Sequence, residues 1–393
     1  MRYVARQIEP LIAQAARHFS SVVLTGPRRA GKTTLLRHLF PTAHYVVLED
    51  PDIKARVRSD PRAFLDELPR PVLFDEIQNT PELLNYVRTR IDERPAQRGQ
   101  WLFTGSQEAP LMQGISESMA GRAAVLQLLP FSVAETPKVR LLTGGFPEVL
   151  AHLSGRNLWY NSYLQTYLER DVRLITNVRD LVTFRRFVTL LASRHGQMLN
   201  KTELAAPLGV SVPTIAAWLH ILEMTGQIIL VPPYFENFGK RLVKSPKVYW
   251  EDSGLACHLL GITSPAELER SPFLGAIFEG FIAAEILKHQ TNLGGRKELY
   301  YFRDQQGLEI DFIVPRGNRE VWLVEAKATQ TVRPSMAGPL LALGRSMPKR
   351  GGRLIVVHRK SRSPVIKSAL APGAEALDVE QFLAALGGAA RRV

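Results

Sequence analysis

Cysteine is nearly absent from these 393 residues, with Cys257 standing alone. No intramolecular disulfide can form, and a reducing compartment is expected. The run around it, Leu255-Ala256-Cys257-His258-Leu259-Leu260, is apolar, which suits core packing better than nucleophilic chemistry. Long hydrophobic runs are missing too: no window approaches the ~18 apolar residues a membrane span requires. The first ten residues carry no apolar signal region, so a cytoplasmic protein without a membrane partner is expected. Acidic charge is in deficit, 37 Asp and Glu against 50 Lys and Arg, leaving +13. That surplus suits a polyanion such as nucleic acid or an anionic membrane surface, although a basic proteome or plain solubility would produce the same balance.

What is present describes an ordinary globular chain of two or three domains, 45% hydrophobic, with no internal repeat and no low-complexity tract. Residues 1–20 place Ile8, Leu11, Ile12 and Ala15 on one face of a helix. Short apolar segments at 21–25, 44–48, 71–74, 101–104 and 123–129 alternate with helix-like stretches. That alternation predicts an α/β unit over 1–137, a parallel sheet with helices on both faces.

Between the first strand and the next helix lies Gly26-Pro27-Arg28-Arg29-Ala30-Gly31-Lys32-Thr33, followed by Thr34. This satisfies the full G-x-x-x-x-G-K-[ST] phosphate-loop pattern. Glycines let backbone N–H groups curl around a β-phosphate, Lys32 neutralises β- and γ-phosphate charge, and Thr33 offers its hydroxyl to Mg²⁺. The strand Val72-Leu73-Phe74 then delivers Asp75 to the sheet's carboxyl edge as a second Mg²⁺ residue, with Glu76 next as general base. Ser106, after the strand ending at Thr104, is a candidate γ-phosphate sensor, or else a helix N-cap. Arg122 is a candidate finger reaching a neighbouring subunit's γ-phosphate, or else a salt-bridged surface residue.

Together, in this order, these residues resemble the AAA+ superfamily of P-loop ATPases. More narrowly they resemble a prokaryotic branch whose ATPase module precedes a domain of uncharacterised function. The likeness rests on the loop, VLFDEIQ, WLFTGSQ, SMAGRAAVLQLLPFS, Gly144-Gly145-Phe146-Pro147-Glu148, SYLQTYLERDV, and GLEIDFIV with WLVEAKAT. It implies ATP and Mg²⁺ as ligands and a homo-oligomeric ring, often a hexamer. Arg170 and Arg173 are candidates for a second sensor arginine.

A helical lid or linker is expected over 138–195. Over 196–262 the pattern is helix, glycine turn and second helix, with Ser211 as N-cap, Pro213 in the first turn, and Leu204, Leu208, Val210, Ile215 and Leu219 as a small core. This resembles a winged helix with wing strands at 228–231 and 247–250. In DNA-binding versions Thr214 and His220 on the second helix and Lys240, Arg241, Lys244 and Lys247 on the wing would meet DNA. With no arginine or asparagine on that helix face, contacts led by the phosphate backbone are expected; a winged helix used only for protein packing is the alternative.

Over 263–393, strands at 299–302, 309–314, 321–326 and 353–357 accompany a helix carrying Glu279 and Glu285, before a tail expected to fray. Asp311, Glu325 and Lys327, with Glu279 as a helix contribution, resemble the PD-(D/E)xK nuclease core. Asp311 and Glu325 would hold a divalent metal, and Lys327 would activate water; the alternative is a nuclease-like fold kept for DNA contact or packing. Three functions follow: an ATPase translocating on or remodelling DNA, an ATP-gated switch for a protein partner, and a nuclease licensed by ATP.

Overall fold

The computed structural model describes residues 3–105, 118–168, 181–234, 245–317, 320–347, 352–360 and 369–390. Strand β1 (Ser21–Thr25) is buried at every position, as a strand covered on both faces must be. It lies inside a fully parallel five-stranded sheet of order β2-β3-β4-β1-β5, where β2 is His44–Val47, β3 Val72–Asp75, β4 Trp101–Thr104 and β5 Ala123–Gln127. Helices α1 (Glu9–His18) and α2 (Lys32–Leu39) pack against one face through Ile8, Ile12, Leu35 and Leu36. This is a P-loop NTPase sheet, and the carboxyl ends of β1, β3 and β4 meet at one edge.

Two expected boundaries shift for local reasons. The helix predicted over 1–20 begins only at Glu9, because residues before it turn aside to bury Arg6. The last strand ends at Gln127 rather than 129. Leu128 donates its N–H back to the Thr25 carbonyl at 2.8 Å and bends toward the phosphate loop.

Beyond the sheet, the helix Lys201–Ala205 is capped by Asn200 and runs into a 3₁₀ turn that ends on Gly209. The helix Val212–Met224 follows, its Thr214 N–H bound by Ser211 Oγ at 3.2 Å. The pair is bent by 111° and packs through Leu204, Leu208, Ile215 and Leu219. An antiparallel sheet of order β6-β8-β7 completes the unit, with β6 Gln197–Met198, β7 Ile228–Val231 and β8 Lys247–Trp250. The C-terminal sheet has the order β13-β14-β12-β11-β10-β9. Its strands are β9 Tyr300–Arg303, β10 Glu309–Pro315, β11 Val321–Lys327, β12 Leu354–His358, β13 Ala369–Ala371 and β14 Ala374–Asp378. It packs on the helix Leu274–Asn292, which is buried over most of its length. One core runs from this helix into Phe131, Leu150, Val231 and Tyr249, so the C-terminal sheet, the three-stranded sheet and the exit from the ATPase sheet share packing. No single helix among the described residues is long and apolar enough to cross a membrane.

Candidate functional site

The loop between β1 and α2 requires unusual backbone angles. Gly26 has φ 137° and Gly31 φ 96°, while Arg29 and Glu76 are the non-glycine residues described with positive φ, at 62° and 59°. At Gly26 a Cβ would lie 2.1 Å from the Leu128 carbonyl oxygen, so only glycine fits. Gly31 is the N-cap of α2 and supplies no side-chain acceptor. The start of a helix presents its N–H groups and the positive end of its dipole to an anion. Lys32 is buried, and its ammonium donates to the Gly26 and Pro27 carbonyls at 3.0 and 2.9 Å.

Thr33 Oγ1 donates to Asp75 Oδ1 at 2.7 Å, which joins the loop to the end of β3. Thr104, at the end of β4, also donates its hydroxyl to Asp75 Oδ1 and accepts the Glu76 N–H at 3.2 Å. Tyr45 from β2 donates to the other oxygen, Oδ2, at 2.7 Å. Glu76 accepts from the Gln78 amide. A hydroxyl and a carboxylate brought together beside a phosphate loop are hard oxygen donors of the kind Mg²⁺ prefers. Lys32, Thr33, Thr34 and Glu76 line one cavity of about 590 Å³, together with Arg28, Arg29, Ala30 and Gly31. Pro147 and His152 close it from the helix Pro147–Ala151 and its C-cap. From that helix Glu148 approaches Arg29 at 3.7 Å, both side chains being about half exposed, which makes the pair weak.

Beneath the loop sits Arg6, 5% exposed. Its guanidinium donates to Glu135 Oε1 at 2.9 Å, to the Ala30 carbonyl at 3.1 Å and to the Leu129 carbonyl at 2.7 Å, and stacks 4.2 Å over Phe131. Phe131 O in turn accepts from Lys288 on the helix Leu274–Asn292 at 3.3 Å. Lys288 is buried between Glu251 and Glu285, each 3.5 Å away. On the other side, Gly226 ends the turn after the helix Val212–Met224 and faces Pro27 of the loop. Arg6, Thr104 and Tyr45 have no motif of their own. Thr104 is the hydroxyl at the last position of β4.

Arg122 lies at the opposite sheet edge from the loop, its carbonyl accepting the Ser21 N–H at the start of β1. Its guanidinium grips Asp92 through contacts of 2.6 and 2.9 Å. It does not reach the site of its own chain. Ser106, Arg170 and Arg173 lie outside the described residues, as do Lys240, Arg241 and Lys244.

The remaining wing residue needs correction. Lys247, expected on DNA, is 3% exposed. Its ammonium lies 2.9 Å from Glu279, 2.6 Å from Glu309 and 3.7 Å from Asp311. Burial alone would lower its pKa, but Glu279, Asp311 and Glu309 outweigh burial and hold it above the ordinary lysine value. Burial and the adjacent Asp311 push Glu279 and Glu325 each up to about 7.

The acidic set does converge, but on internal partners. Glu279 accepts from Tyr249 at 2.5 Å, Asp311 Oδ2 accepts the Ala326 N–H at 2.9 Å, and Lys327 lies 2.5 Å from Glu325 Oε1. Glu325 Oε2 is buried with no partner among the described residues. No group of three or more His, Cys, Asp or Glu side chains among the described residues is arranged to hold a metal ion. The ammonium of Lys247 stands among the carboxylates where the nuclease reading expected a metal-binding set. Of the helix residues expected on DNA, Thr214 is half-buried and tied to Ser211 Oγ at 2.8 Å. His220 is exposed in a cleft of about 1090 Å³ between this unit and β9–β10.

The sheet, the loop and the Asp75 pair define a P-loop ATPase domain, and residues 18–136 match the family described as AAA domain. Residues 135–266 and 274–373 match two domains of unknown function, DUF8612 and DUF4143. The chain belongs to the family of two uncharacterized mycobacterial proteins, Rv2008c of Mycobacterium tuberculosis and Mb2031c of Mycobacterium bovis. It is 35% identical to each over 330 residues, which span 82% of this chain and 74% of either relative. Among solved structures, the Walker-type ATPase PABY2304 of Pyrococcus abyssi aligns at 17% identity and TM-score 0.40, over 65% of this chain and 95% of its own. A signal transduction ATPase with numerous domains, PH0952 of Pyrococcus horikoshii, which has a tetratricopeptide repeat sensor, aligns at 14% identity and TM-score 0.22, over 72% and 48%.

Proposed function

We propose that this chain binds ATP with Mg²⁺ and hydrolyses its β–γ phosphoanhydride bond. The observation that carries the reading is the 2.7 Å contact between Asp75 and Thr33, the latter lining a cavity together with Lys32 and Glu76. The loop's N–H groups and the start of α2 hold the phosphates. Lys32 exchanges two loop carbonyls for phosphate oxygens, so its ammonium stays partnered throughout. Thr33 and Asp75 would hold Mg²⁺, which neutralises charge on the β- and γ-phosphates when bound. Glu76 accepts a proton from the water that attacks the γ-phosphorus, and ADP leaves as the β–γ bond breaks. A homo-oligomeric ring is part of the proposal, in which Arg122 would have to leave its ion pair with Asp92 to reach a neighbour's γ-phosphate.

DNA is the proposed macromolecular partner, engaged through the helix–turn–helix unit as a winged helix and by its phosphate backbone. The surplus of +13 and the exposed start of the helix Val212–Met224 support this, as does the approach of that unit to Pro27, a route by which nucleotide state reaches it. Cleavage is not part of the proposal, because Lys247 and Lys327 hold the carboxylates in ion pairs.

The test has two arms. Lys32→Ala should abolish nucleotide binding, and Glu76→Gln should bind ATP while losing turnover by at least about a hundredfold. Turnover unchanged in Glu76→Gln removes the general base. ATPase rate and binding are then measured with single-stranded, duplex and four-way DNA across a salt series. Salt-insensitive or absent binding with DNA-indifferent turnover refutes the DNA assignment and favours a protein partner.

A further inference from the structure

Asp75 receives three hydroxyl donors, and they divide unequally between its oxygens. Among the described residues, Thr33 and Thr104 both donate to Oδ1, whereas Oδ2 receives Tyr45 alone. Thr33 belongs to the phosphate loop and is the hydroxyl that the metal would claim. Once it turns away, Thr104 on one oxygen and Tyr45 on the other are what fix the carboxylate plane.

The sheet explains why a β2 residue reaches this site. β2 pairs with β3 in parallel, with Tyr45 opposite Leu73 and Val47 opposite Asp75. Side chains two apart on a strand share a face, so Tyr45 and Asp75 lie on the face covered by α2. From α2 the Arg37 guanidinium stands 4.8 Å over the Tyr45 ring, holding it against the sheet.

We propose that Tyr45 is a positioning residue for the metal-holding carboxylate: it locks Asp75 Oδ2 so that Oδ1 faces the ion beside Thr33. The proposal rests on the Mg²⁺-ATP reading of the loop. Tyr45 touches neither nucleotide nor metal and acts only through Asp75, so it sets the Mg²⁺ requirement of nucleotide binding rather than binding itself.

The test uses the full chain and a fluorescent ADP analogue, titrated in EDTA and then across a Mg²⁺ series, for wild type and Tyr45→Phe. Phenylalanine keeps the ring beneath Arg37 and removes only the hydroxyl. The expected result is unchanged affinity in EDTA, with the Mg²⁺-dependent gain reduced about ten- to a hundredfold, the size of one hydrogen bond to a charged group. A Tyr45→Phe/Asp75→Asn double-mutant cycle should be strongly non-additive, since the phenol has no second route to the metal. Undiminished Mg²⁺ gain in Tyr45→Phe overturns the proposal, and so does an equal loss in EDTA and Mg²⁺, which would mark a merely structural ring. If the wild-type protein binds no nucleotide under either condition, the phosphate-loop reading itself has failed, and that appears before any variant is made.

Discussion

Replacing Arg6 by alanine tests how far the phosphate loop depends on a residue outside every motif. The side chain makes three hydrogen bonds, to Glu135, Ala30 and Leu129, at 2.9, 3.1 and 2.7 Å. At about 1.5–3 kcal/mol for each bond to a charged group, simple addition gives roughly 5–9 kcal/mol, an upper bound because shared partners are not additive. Removing one member of a buried pair costs about 3–5 kcal/mol when its partner is stranded. Glu135 is not fully stranded. It still accepts from the Gln7 and Ser132 N–H groups at 2.9 and 2.8 Å and from the Ser132 hydroxyl at 3.2 Å. The lower end, about 3 kcal/mol, is therefore expected for Arg6→Ala. Arg6→Lys, which keeps the charge but not the planar fork, should lose about half as much. Urea denaturation should show a lowered midpoint at constant slope. Because the Ala30 carbonyl is released, ATP affinity in the surviving folded protein should fall about tenfold, the equivalent of one such bond. A loss below about 1 kcal/mol with unchanged ATP affinity would refute the claim that Arg6 braces the loop.

Gly26→Ala should lose nucleotide binding and destabilise the fold by about 3 kcal/mol or more, because the new Cβ meets the Leu128 carbonyl at a left-handed φ; calorimetry and ATP titration report both. Glu279 has its pKa raised in the fold to about 7. The native state therefore binds more protons than the unfolded chain between about pH 4.5 and 7, and this group's contribution to stability falls as pH rises through that window. Comparing denaturation midpoints, Glu279→Gln should gain on the wild type from pH 5 to pH 8, and a constant difference would count against the raised value. Burial pushes the Cys257 thiol up to about 12; iodoacetamide at pH 8 should leave it unmodified in native protein and label it fully in denaturant.

The ATPase half was legible because its chemistry is local in sequence. A phosphate loop is eight adjacent residues, and Asp75 follows directly on the apolar strand that positions it, so periodicity and motif located both. Arg6 was invisible because its partners lie at Ala30, Leu129 and Glu135, a constellation made only when the first residues fold under the loop. Lys247 misled for the opposite reason. A lysine in a Lys- and Arg-rich stretch reads as a solvated charge, but β8 packs against the helix Leu274–Asn292, whose Glu279 then lies 2.9 Å away. Local pattern gives the sign of a charge; which side of a packed interface it faces is decided by elements far away in the chain. The acidic residues at 279 and 311 do come together, around Lys247 from another unit, whose ammonium changes what the group is.

The cavity around the loop takes most of its wall from the α/β sheet but borrows Pro147, Glu148 and His152 from the segment that follows it. A pocket that straddles such a seam ties the two parts together in inheritance. An ATPase module cut at the end of its sheet and joined to another partner would carry every motif residue and yet arrive with one side of its binding site open. An exchanged ATPase module is therefore expected to keep the segment through His152 with its sheet. The Gly144-Gly145-Phe146-Pro147-Glu148 stretch would then travel with the phosphate loop as part of the same heritable unit.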